Sequence, residues 1–126
     1  MSGLDAGKVY QTWPLMGQSY FPNDIVTSDI RYFLDFNNHS LVQFYHRNLA
    51  YFITLYVLII GISIYKKKNR KLYKPIKLMV FFLILQILLG ILTLISGLNI
   101  ILASSHQITS VLLVFSSINL YYCNIK

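Results

Sequence analysis

Beyond residue 40 the chain is almost wholly made of three apolar stretches, at about 41–65, 75–97 and 100–123. Each is long enough to cross roughly 30 Å of hydrocarbon as a helix. No water inside a bilayer can satisfy a peptide group, so a spanning segment of this kind has to bond its own backbone. Composition agrees: 56% of the residues are hydrophobic and only 12% are charged, about half the charge of an average soluble domain. The expectation is an all-α membrane protein. Three transmembrane helices form a bundle over 41–126, preceded by an outer-face loop segment, 1–40, with at most one or two short interfacial helices.

The net charge of +7 is placed where a membrane protein needs it. Seven of the eleven basic residues lie in "KKKNRKLYKPIK", at Lys66, Lys67, Lys68, Arg70, Lys71, Lys74 and Lys77, between the first two spans. Such a cluster marks a cytoplasmic loop by the positive-inside rule. The N-terminal segment and the turn near "SGLN" (96–99) then lie outside, and Lys126 lies inside. A short interhelical loop offers no base-reading surface, so no nucleic-acid partner is expected. The single cysteine, Cys123, excludes an internal disulfide.

Residues 1–40 are polar and aromatic, and Pro14, Pro22, Gly3, Gly7 and Gly17 interrupt any long periodicity. All four acids, Asp5, Asp24, Asp29 and Asp35, fall here, and the chain has no glutamate. Trp13, Tyr10, Tyr20 and Phe21 suit the headgroup layer. No basic n-region followed by an apolar h-region opens the sequence. "MSGLDAGKVYQTWPLMG" reads as the middle of a loop, as in a truncated reading frame or a split subunit.

Two histidines break the apolar pattern at matched depth. His46 lies twenty residues before Lys66, and His106 twenty residues before Lys126. At 1.5 Å per residue each imidazole sits roughly 30 Å above the inner surface. The first and third helices run in the same direction, so both rings reach the outer end of the membrane together. Two such imidazoles can ligate opposite faces of one planar macrocycle, and histidine is an axial ligand of haem iron. A histidine in a span equally serves to hydrogen-bond a neighbouring helix, so both readings stay open. Arg47 can pair a haem propionate bidentately or snorkel to lipid phosphate. Gln43 and Gln107 are weaker candidates for orienting the rings, and His39 reads as solvated.

Small-residue stripes suit close packing: Gln86, Gly90, Thr93 and Gly97 on the second helix, and Ala103, His106, Ser110, Leu113 and Ser117 on the third. The second stripe turns His106 toward protein. Other chemistries fare badly. Cys123 lies roughly 25 Å along its helix from His106. Ser104 and Ser105 adjoin His106 in sequence but do not face it on a helix. No HExxH, Cys-x-x-Cys or phosphate loop occurs, and the loop acids match no calcium-binding spacing.

Four blocks, "GLDAGKVYQTWPLMGQSYFP" (3–22), "VQFYHRNLAYF" (42–52), "LQILLGILTLI" (85–95) and "LASSHQ" (102–107), resemble in this order the second half of haem A synthase. The resemblance implies part of an eight-helix protein built from two similar four-helix halves: the loop after the fifth helix, then helices six to eight. It implies conversion of the haem O methyl group to the formyl group of haem A for terminal oxidases. It also implies a haem b (iron) cofactor held by two histidines, matching His46 and His106. By the same resemblance, the haem O substrate and a catalytic glutamate belong to an N-terminal half, so no catalytic residue is assigned in this chain. The cysteine pair that some members carry in the outer loop does not occur here.

The expected function is therefore the haem-binding C-terminal portion of a haem A synthase. It would reside in a bacterial inner membrane, pairing with a separate N-terminal half or self-associating. A non-catalytic b-type electron-transfer subunit, or an inactive truncated fragment, is the alternative.

Overall fold

The structure, a computed structural model, describes residues 6–25 and 33–125. Gly3, Asp5, Asp29 and Lys126, used above, lie outside the described residues. Three long helices, α1 (His39–Lys66), α2 (Tyr73–Ile95) and α3 (Ile100–Ile125), account for most of the rest, and each is long and apolar enough to cross a membrane.

The helix boundaries follow local chemistry. α1 starts two residues before the apolar run because the Asn38 side chain caps it, accepting from the Leu41 N–H at 3.1 Å. The basic loop folds into a 3-10 turn, Arg70–Leu72, that leads directly into α2. Pro75, in the first turn of α2, loses no intrahelical bond there. α2 stops at Ile95 rather than 97, because Gly97 takes a left-handed conformation (φ 69°) that closes the C-terminus. The Gly97 N–H bonds to Leu94 O and the Leu98 N–H to Thr93 O, which leaves only a tight turn before α3.

α2 and α3 pack as an antiparallel pair, and α1 leans on them at the basic-loop end. There Val57 and Ile64 of α1 join Leu72, Ile76, Met79, Leu83 and Leu120 in one buried cluster. Apolar side chains such as Phe52, Phe81 and Phe115 point outward, as a lipid-facing surface requires.

The N-terminal segment covers the opposite end of the bundle. It has a 3-10 turn at Ala6–Lys8 and a bridge between Met16 and Ser19. Leu98 of the α2–α3 turn packs on Gly7, where a Cβ would come within 2.9 Å of it. Phe44 of α1 meets Tyr20 and Phe21 edge-on, with centroids 5.7 and 5.2 Å away. Asp24 ties the segment to the first turn of α1, accepting from the Tyr10 hydroxyl at 2.7 Å and from the Ser40 hydroxyl.

Burial alone would raise the Asp24 carboxyl, but the bonds from Ser40 and Tyr10 outweigh it and hold its pKa below the ordinary carboxylate value. A group lowered in the folded state contributes stability that is full above its unfolded pKa and fades as pH falls through the folded one. Acidification below about pH 4 should therefore loosen the loop, and Asp24→Asn should loosen it at neutral pH. Emission from Trp13, the sole tryptophan, reports this. A spectrum unchanged by both treatments would show that Asp24 does not hold the segment.

Candidate functional site

Polar side chains inside hydrocarbon are costly unless bonded. Most hydroxyls of the three helices bond back to their own helix: Thr54 to Ala50 O, Thr93 to Leu89 O, Ser105 to Ile101 O and Thr109 to Ser105 O. Ser105 thus turns away from His106, and no nucleophile–base pair forms from them. What remains is a small polar group at the loop-covered end, built from His46 on α1, His106 on α3 and Gln86 on α2.

The His46 and His106 rings face each other with centroids 6.5 Å apart and planes at 72°. Packing of two parallel helices against α2 achieves this across sixty residues of sequence. His46 is exposed and His106 half-buried. Arg47, Gln43 and Gln107, adjacent or near in sequence, do not join them.

His106 is seated on α2. Its Nδ1 lies 3.1 Å from the Gln86 carbonyl oxygen, and its Nε2 lies 3.2 Å from the Gln86 side-chain nitrogen. A carbonyl only accepts, so Nδ1 carries the proton, and Nε2 accepts from the Gln86 amide through its lone pair. Gly90, one turn along, makes room for this contact: a Cβ there would stand 3.0 Å from the imidazole Cε1. The ring occupies the space that any larger residue would fill. The other Gln86 amide atom, Oε1, is buried with no partner. Gln86 is the partner of His106 that sequence reasoning missed, reading it only as part of a packing stripe. Its signal was being the one amide in α2, four residues before a glycine.

Arg47 and Gln43 do different work. The Arg47 guanidinium donates to four loop carbonyls: Thr12 at 2.8 Å, Leu15 at 3.1 Å, Tyr10 at 3.2 Å and Pro14 at 3.3 Å. That uses four of its five N–H donors. Gln43, fully buried, adds a bond from its amide to Tyr10 O at 2.8 Å. Together they hold the WPLM stretch against α1, one residue along from His46. Gln107 is exposed, and so is His39 at the first residue of α1.

The arrangement brings two imidazoles together at one end of the bundle. Among the described residues no three His, Cys, Asp or Glu side chains converge to cage a bare metal ion. Two nitrogens about 2 Å from a common metal place their ring centres roughly 6 Å apart, close to the spacing seen. With Nδ1 protonated, Nε2 carries the lone pair of the His106 ring.

Comparison with known proteins decides the family. The profile of the COX15-CtaA family, described as cytochrome oxidase assembly protein, matches residues 1–118. The chain belongs to the haem A synthase family. Proteins named heme A synthase are 40% identical to it in Pelagibacter ubique strain HTCC1062, over 98% of this chain and 36% of the relative. In Wolbachia pipientis wMel the identity is 36%, over 94% of this chain and 32% of the relative. In Rickettsia bellii strain OSU 85-389 it is 37%, over 90% of this chain and 33% of the relative. The chain therefore spans about a third of the haem A synthases it matches. No solved structure matches it.

The Gly90 notch makes a stability prediction. Gly→Ala inside a helix ordinarily stabilises by about 1 kcal/mol. At Gly61 the added Cβ would meet Ile76 at an ordinary 3.7 Å, so Gly61→Ala should be neutral or stabilising. Gly90→Ala should instead cost about 1–3 kcal/mol by driving His106 off the Gln86 carbonyl. Thermal unfolding of both variants in detergent checks this, and equal melting temperatures would mean His106 is not seated there.

Proposed function

We propose that this chain is the haem-binding C-terminal portion of a haem A synthase, with His46 and His106 as the axial ligands of a haem b. The facing imidazoles, 6.5 Å apart, carry this reading. A macrocycle supplies four ligands of its own and needs only two axial ones, which agrees with a site of two imidazoles and no larger cluster. When bound, the haem supplies one-electron transfer.

The chain's own residues bind and orient. The Gln86 carbonyl fixes the His106 tautomer, and Nε2 would be the atom that holds the haem once the Gln86 amide is displaced from it. The orphaned Oε1 marks that amide as the group with least to lose by moving. Arg47 holds the WPLM stretch over the outer end of the site, and its charge stands near any propionate that enters there. The chain has no glutamate, so the catalytic acid implied by the family resemblance would come from an N-terminal half beside which the chain acts. That half binds haem O and completes its oxidation to haem A. Loop charge orients the pair, with the N-terminal segment outside and Lys66–Lys77 in the cytoplasm.

Membranes containing the chain should show a low-spin bis-histidine haem b spectrum. His46→Ala and His106→Ala should each abolish it, and persistence in both variants would reject the ligand assignment. Co-expression with an N-terminal half of a relative should yield haem A, detected by pigment extraction, where neither part alone does. A spectrum without haem A under co-expression would identify a b-type electron carrier instead.

A further inference from the structure

The basic loop has no acidic counterpart. Seven cationic side chains lie between Lys66 and Lys77, yet no Asp or Glu follows Asp35 anywhere in the sequence. The described acids sit at the far end of α1, whose 28 residues span about 40 Å. At that distance a carboxylate is screened from the loop by ionic strength alone. Within this sequence, then, no acidic side chain beyond Asp35 balances the loop.

A groove beside it has the form to take one. A cavity of about 320 Å³ lies between the start of α2 and the end of α3, lined by Lys71, Lys74, Pro75, Leu78, Asn119 and Cys123. Two ammonium groups, those of Lys71 and Lys74, meet at its rim. Pro75 and Leu78 supply an apolar wall that continues toward the middle of the span. A second groove, of about 190 Å³, is lined by Lys67 as its only cation and lacks this convergence.

We propose that the α2–α3 groove binds an anionic phospholipid from the leaflet on the side of the basic loop. Its phosphate lies between Lys71 and Lys74, and an acyl chain runs along Pro75 and Leu78. Basic clefts between spanning helices recognise acidic headgroups in this way. A zwitterionic lipid brings its own cation toward the lysines, and free phosphate leaves the apolar wall uncovered. The site is remote from the histidines and stands whether or not they bind haem.

The test uses the full chain in detergent and in vesicles. Native mass spectrometry should show phosphatidylglycerol retained in preference to phosphatidylcholine and not displaced by inorganic phosphate. Lys71→Gln/Lys74→Gln should weaken retention about tenfold or more. Lys66→Gln/Lys68→Gln, an equal loss of charge outside both grooves, should leave retention nearly unchanged. In the unmutated chain, vesicles of phosphatidylcholine with phosphatidylglycerol should slow alkylation of Cys123 relative to phosphatidylcholine alone. Equal retention of the two lipids, displacement by phosphate, equal weakening in both double variants, or an unchanged Cys123 rate would each overturn the proposal.

Discussion

A polar group inside a bilayer must find its partner within the protein, and the half of this bundle next to the N-terminal segment is arranged around that requirement. Most serine and threonine hydroxyls of α1, α2 and α3 turn back onto their own helices. His106 has no carbonyl of its own helix to reach, so it crosses to α2 and takes the Gln86 carbonyl. Arg47 reaches out of the helix to the carbonyls of the N-terminal segment. One contact adds to the packing of α3 on α2, and the other to the hold of the loop on α1.

The bundle is consequently asymmetric along its length. At the basic-loop end, Val57, Ile64, Ile76 and Leu120 close the three helices on an apolar core. At the other end polar side chains replace that core, with the two histidine rings 6.5 Å apart. Grip at one end and polar chemistry at the other are compatible because they use different stretches of the same helices.

Much of this was legible in the sequence, for identifiable reasons. The spans were readable because lipid demands a minimum apolar length, and their ends moved only where a cap intervened, Asn38 at one and Gly97 at another. The pairing of His46 with His106 was legible from equal distances to basic end points. The work of Arg47 was not. A lone arginine at a helix start is equally suited to a propionate, a lipid phosphate or a carbonyl, and nothing nearby in sequence distinguishes them. Gln86 was passed over for a similar reason, since a stripe of small and polar residues reads as helix packing unless its neighbour on the facing helix is known.

The order and number of apolar helices and the clustering of positive charge at one end were settled by the sequence, because each depends only on composition and distance along a single helix. Rotation of the helices about their axes was settled by tertiary structure. That rotation set His106 into the notch of Gly90, turned Ser105 away from it and bent the WPLM carbonyls onto Arg47. Such contacts join residues tens of positions apart, and the energies that choose among them arise only once three helices and a loop are packed together.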